Sequence, residues 1–151
     1  MTGFSIDWLD LREAADRRAR DDTLLERAWR WLHTDMKQAA GMTVVDLGAG
    51  TGSTLRAFSS SPSSTAAAKL ADQKSLSWRL VDQDAALLAE ARRRHGESYS
   101  LQTYEIDLAD IAALPLAGAQ LITASALFDL VSADFIDTLA AEMHEIGRAH
   151  V

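Results

Sequence analysis

The chain predicts an α/β fold built around a parallel sheet, and two observations carry that expectation. Short segments rich in β-branched residues alternate with segments whose apolar residues recur at three-and-four spacing. The first of the short segments, Met42 to Leu47, then breaks directly into alternating glycines and becomes helix-like again.

Residues 6 to 40 read as helical. Leu25, Ala28, Trp29 and Leu32 share one face of a helix, while Glu26, Arg27 and Arg30 point elsewhere. Upstream, Asp16 to Asp22 sets three arginines against three aspartates, the balance of a solvated helix face rather than of a basic binding patch. Met42 to Leu47 reads as a buried strand closed by glycine, and Thr54 to Phe58 as the start of a helix. Ser59 to Thr65 is a serine-rich loop, and residues 66–75 read as a frayed helical continuation.

Trp78 to Val81 is a second strand. Asp84 stands where an N-cap belongs, ahead of a helix through Ala85 to Arg94, with Gly96 just past its end. The run Arg92 to His95 puts cations in a last helical turn, where each complements the macrodipole by ~0.3–1 kcal/mol. Ser100 to Ile106 and Gln120 to Ser125 supply a third and a fourth strand, separated by a short helical turn at Ile111 to Leu114 and by Pro115. A last helix follows Ser132, with Phe135, Ile136, Leu139, Ala140 and Met143 on one face. Alternation of this kind, with right-handed crossovers, predicts a Rossmann-like doubly wound parallel sheet of four strands.

The composition narrows the function. A length of 151 residues suits one domain, and 48% hydrophobic with 25% charged residues is ordinary for a soluble, cytoplasmic protein. A net charge of −7 argues against nucleic acid as partner, and no apolar stretch approaches the ~20 residues of a membrane span. Cysteine is absent, which excludes disulfides, thiolate metal sites and cysteine nucleophiles. The four histidines are scattered without metal-ligand spacing, so no metal is expected, and His33 reads as a helix-surface or core-edge residue.

The glycine loop carries the chemistry. No lysine follows the glycines, so it is not a P-loop; the third glycine of a dinucleotide loop would fall at Ser53. The spacing is instead Asp46, Gly48, Gly50, Gly52. Glycines allow a sharp turn and a close ligand approach. A carboxylate beside them repels a pyrophosphate and suits a ligand with positive charge and no phosphate.

S-adenosyl-L-methionine fits that description, and the segment resembles motif I of the class I S-adenosylmethionine-dependent methyltransferases. The resemblance implies the N-terminal four strands of that family's fold, running from Asp46 to about Phe135. It implies that Asp82 holds the ribose hydroxyls, and that Asp107 and the Leu108 amide take the adenine. It places Ser125, Phe128 and Asp129 on the substrate side. A helix cap remains the alternative for Asp107, and loop packing for the last three. Arg12 and Arg20 read as helix-surface residues, with the cofactor carboxylate within their reach as the alternative. The chain has no N-P-P-Y-type motif for adenine methylation and no thiolate for C5-methylcytosine; its acidity favours a small molecule or a protein over nucleic acid as acceptor, and a small molecule is expected. A nucleotide-dependent oxidoreductase of NAD type and a non-catalytic cofactor-binding module stand as the other readings.

Three regions are expected: an N-terminal helical segment at 1–40, a partial cofactor-binding domain at 41–145 and a non-native tail at 146–151. The tail breaks the helical pattern at Gly147 and resembles the translation of a sequencing adapter. On that reading the chain is an incomplete, inactive piece of an enzyme, with the outer edge of its fourth strand left open.

Overall fold

The computed structural model describes residues 3–35, 41–60 and 76–148. Helices α1 (Ile6–Ala19) and α2 (Asp22–Asp35) precede strand β1 (Met42–Leu47) and helix α3 (Ser53–Ser59). Then follow β2 (Leu76–Asp82), α4 (Ala85–His95), β3 (Ser100–Glu105), a 3-10 turn at Ile111–Ala113, β4 (Leu121–Ala124) and α5 (Ala133–Arg148). The helix expected through residue 40 is thus two helices, broken at Arg20 and Asp21. Residues 36–40, most of the serine-rich loop and the expected helix at 66–75 lie outside the described residues. Gly147 does not interrupt the last helix, which continues through it to Arg148.

All pairings are parallel, in the order β3-β2-β1-β4. The chain steps outward from β1 to β2 and β3, then returns to the opposite side of β1. That reversal opens a crevice beyond the carboxyl ends of β1 and β4, where open α/β sheets hold ligands. Among the described residues no strand pairs with the outer edge of β4. Phe128, Leu130, Ile136 and Met143, in the segment after it, are exposed.

The period of two along each strand sorts the core into two layers. Met42 and Val44 of β1, with Leu76, Trp78 and Leu80 of β2, pack against α2, α3 and α4 through Trp29, Leu32, Leu55, Phe58, Leu88 and Ala91. Val45, Leu47 and Val81 face the other way, onto Ile111, Leu114, Leu116, Leu127, Phe135 and Leu139. Burial on both faces explains why β1 reads as an unbroken apolar run up to Asp46. Asp46 lies on the α3 side of the sheet, in line with Met42 and Val44.

An aromatic joint closes the first layer. Trp29 and Phe58 lie 5.5 Å apart between ring centroids, and Phe58 meets Trp78 edge-on at 5.5 Å. Trp29 Nε1 also donates to the Phe58 carbonyl at 2.9 Å, satisfying a buried acceptor near the end of α3. Trp29→Phe keeps most of the packing and leaves the Phe58 carbonyl only the Ser60 amide, so urea unfolding should show a loss of ~0.5–1.5 kcal/mol. Trp31→Phe, at a half-exposed position on the same helix, should stay within ~0.5 kcal/mol of the parent.

Candidate functional site

The glycine loop is a left-handed turn anchored from below. Gly48, Gly50 and Gly52 have φ of +68°, +53° and +90°, values that L side chains rarely adopt. Gly52 opens α3 without a side-chain cap. The Ala49 amide donates to the Val81 carbonyl at 3.0 Å, and the Gly50 amide to Asp82 Oδ2 at 2.9 Å. Asp82 Oδ1 accepts from the Asp84 amide at 3.0 Å. The last residue of β2 therefore clasps both the loop and the entrance to α4. Asp84 caps that helix, accepting from the amides of Ala86 and Leu87 at 2.9 and 3.2 Å.

Asp46 lies beneath the loop rather than beside it. It is 1% exposed and stands in register with Thr123 of β4, whose hydroxyl donates to Oδ1 at 2.7 Å. Burial pushes its pKa up to about 6, against the pull of the Thr123 and Thr54 hydroxyls and of the Arg20 charge. Asp46 Oδ2 is buried without a hydrogen-bond partner among the described residues.

Arg20, the C-cap of α1, is in the same condition: its Nε is buried and unpartnered among the described residues. This corrects the reading of Arg20 as a helix-surface residue. Arg12 is one, pairing with Asp16 at 2.9 Å and lying 4.6 Å from the centre of the Trp8 ring. The two arginines fall apart because the chain turns at Arg20, after the end of α1, and carries its side chain toward the loop.

A polar cluster that the sequence did not single out backs the other side of the loop. Arg56 of α3 pairs with Glu13 of α1 at 2.7 Å and donates to the Thr51 carbonyl at 2.6 Å. Its Nη1 lies 3.0 Å from His95 Nε2; a guanidinium can only donate, so Nε2 is the acceptor and the ring is neutral. Burial, then the Arg56 and Arg94 charges, hold the His95 pKa below its ordinary value. A Cβ at Gly52 would stand 3.1 Å from His95 Cδ2, so the ring packs directly under the loop. One signal could have found His95: it follows Leu88 and Ala91 on the buried face of α4. The neighbouring arginines are absorbed in ion pairs, Arg93 and Arg94 with Glu90, and Arg94 also with Asp10.

Three loops converge at the top of the sheet. A Cβ at Gly48 would lie 3.6 Å from Leu127 Cδ1 and 3.9 Å from Leu108 Cδ1. The structure thus brings together Asp46, the three glycines, Asp82 and Leu108. Asp107, at the start of the loop after β3, is exposed and accepts from the Ala109 amide at 2.9 Å, closing its own turn. Ser125 is half-buried where β4 ends, whereas Phe128 and Asp129 project outward. Between them Ala126 has φ +53°, the one left-handed non-glycine residue among those described. Among the described residues no group of three metal-ligating side chains occurs. No helix among them is long and apolar enough to cross a membrane.

Asp82 and Asp84 should separate on mutation, although they are two residues apart. Asp84→Ala removes a cap and should cost ~1 kcal/mol in urea unfolding. Asp82→Ala removes two charge-assisted amide contacts and should cost more, ~1.5–3 kcal/mol. Amide exchange at Gly50 should accelerate in the Asp82 variant alone.

No protein-family model matches the chain, and no curated protein matches it in sequence. Solved structures do resemble it. A DszA carbon methyltransferase aligns over 67% of this chain with a TM-score of 0.51 and 18% identity. An RNA methyltransferase from Salinibacter ruber, in complex with S-adenosyl-L-homocysteine, aligns over 70% with a TM-score of 0.42 and 16% identity. The chain spans 26% of the first protein and 58% of the second. The strand order, the parallel register and the likeness to the carbon methyltransferase together show that this chain has a class I methyltransferase-like, Rossmann-type fold.

Proposed function

We propose that the chain binds S-adenosyl-L-methionine in the crevice at the ends of β1, β2 and β4, as the cofactor-holding part of an enzyme that methylates a small molecule. One observation carries this reading above the others: two buried polar atoms of opposite charge, Asp46 Oδ2 and Arg20 Nε, lack hydrogen-bond partners among the described residues on one side of the glycine loop. Buried polar groups are rarely left so. A zwitterionic amino-acid group satisfies both, its ammonium on Asp46 and its carboxylate on Arg20. A pyrophosphate satisfies neither carboxylate at this site and is repelled by Asp46 and Asp82 alike.

The remaining assignments follow the resemblance to the class I methyltransferases. Each Asp82 oxygen accepts one amide hydrogen and keeps capacity for a ribose hydroxyl. Asp107 and the Leu108 amide stand at the adenine end. When bound, the cofactor supplies an electrophilic methyl on a positively charged sulfur. The protein supplies proximity and orientation: the clasped loop fixes the cofactor, and Ser125, Phe128 and Asp129 face an acceptor across it. A general base is required only for acceptors that must lose a proton. The net charge of −7 favours a small molecule over nucleic acid as that acceptor.

Titration of Asp46 provides the test. Its ammonium-binding form is the carboxylate, so affinity for S-adenosylhomocysteine, measured by calorimetry, should fall as pH drops through about 6. Asp46→Asn should remove that step and weaken binding at neutral pH by about tenfold or more, the value of a charge-assisted hydrogen bond. Stability of the empty protein responds in the opposite sense. A carboxyl raised from 3.8 to about 6 on folding contributes most below pH 3.8, and that contribution is lost as pH rises through 6. Equal or tighter binding of NAD would overturn the assignment.

A further inference from the structure

We infer that α1 is a lid over the cofactor crevice, held shut by ion pairs rather than by a hydrophobic face, so that cofactor exchange is governed by ionic strength. The inference rests on the proposed cofactor site and adds to it the route by which that site opens.

The argument starts from what α1 lacks. None of its 14 residues is fully buried: Ile6 and Leu9 are half-buried, and Trp8 and Leu11 are exposed. A helix with so short an apolar stripe is only weakly fixed to a domain by the hydrophobic effect. It is fixed by two two-pronged contacts. Glu13 meets Arg56 of α3 through Oε1 to Nε at 2.7 Å and Oε2 to Nη2 at 2.9 Å. Asp10 meets Arg94 of α4 through Oδ1 to Nη1 at 2.7 Å and Oδ2 to Nη2 at 2.8 Å. The two anchors lie on the helices that flank the glycine loop, so α1 bridges it. Fork-on-fork geometry of this kind is directional and releases as a unit.

Position does the rest. Leu9 Cδ1 lies 3.5 Å from where a Cβ on Gly50 would stand, which puts α1 directly over the central glycine. Less than two turns past the ion pairs the helix ends, and its C-cap Arg20 reaches the neighbourhood of Asp46. Closing α1 therefore does two things at once: it covers the loop and delivers the cation proposed to hold the cofactor carboxylate. Opening it withdraws both. The closed arrangement is the one described here, and Glu13 and Asp10 keep enough solvent contact, 23% and 43% exposed, for salt to compete.

Two measurements on the whole chain test the lid. In the first, stopped-flow release of S-adenosylhomocysteine should quicken as salt rises. In the Asp10→Asn/Glu13→Gln variant it should be about threefold to tenfold faster at low salt and flat with salt thereafter. In the second, which needs no ligand, amide exchange in α1 should accelerate in that variant while β1 and β2 stay protected. Asp16→Asn breaks an ion pair within α1 alone and should change neither readout. Release that is independent of salt and of the variant, with cofactor bound, overturns the lid and spares the cofactor assignment. Failure of the parent protein to bind S-adenosylhomocysteine overturns the assignment, and the exchange experiment then decides the latch by itself. Unchanged exchange in α1, or an Asp16 variant that matches the double variant, overturns the lid in either case.

Discussion

A carboxylate at the end of the central strand, removed from water, sets the terms for everything around it. An ionised group in that position is costly unless its surroundings compensate. Thr123 of β4 answers from the neighbouring strand, Thr54 from the helix that follows, and Arg20 with charge from a distance. Each answer fixes an element: the register of β4 against β1, the angle at which α3 leaves the loop, the direction of the chain after α1. The half-satisfied state that remains, with one oxygen still unpartnered, is what makes the position look like a binding determinant rather than a structural one.

The loop above that carboxylate is held by its neighbours, not by its own contacts. Glycines permit the left-handed path, but they do not select it. Selection comes from Asp82, which accepts the Gly50 amide, and from the neutral His95 ring seated under Gly52. Arg56 stabilises the latter by donating to His95 and to Thr51 while pairing with Glu13. A loop so supported needs no ordering before it could receive a ligand, which lowers the conformational cost of the proposed recognition.

The fold was legible in the sequence because its signals are local. The β-branched run before Gly48, the cap at Asp84 and the apolar spacing of Trp29 and Leu32 each act within a few residues, and each appears in the structure. The strand ends shifted by one or two residues, as pairing rather than composition decides them. The candidate site was legible where a strand end announces it, at Asp46 and Asp82, which the structure places beneath and beside the glycine loop. It was opaque where it depends on packing between distant segments. For Arg20 the reach toward the cofactor carboxylate was only an alternative shared with Arg12; the turn after α1 is what separates the two. Glu13, Arg56 and His95 likewise meet across helices, and a charge run such as Arg92 to His95 conceals one buried ring and a largely covered Arg94 beside two exposed guanidinia. Gly147 misled for a related reason, since a glycine lowers helix propensity without ending a helix whose other residues continue it.

The two contacts that define the site also differ in how far the chain must reach to make them. Gly50 and Asp82 are 32 residues apart, whereas Asp46 and Thr123 are 77 apart. Closing the longer loop costs ~0.8 kcal/mol more in chain entropy by the logarithmic rule, and non-local parallel pairings are slow to form. On loop length alone, the contact between the loop and β2 closes more readily than the one between β1 and β4, and Asp46 on a strand not yet paired with β4 is still hydrated. When β4 arrives, it completes the sheet and strips the water from the carboxylate in the same step. The strand that completes the sheet is thus the strand that takes the carboxylate out of water and lifts its pKa.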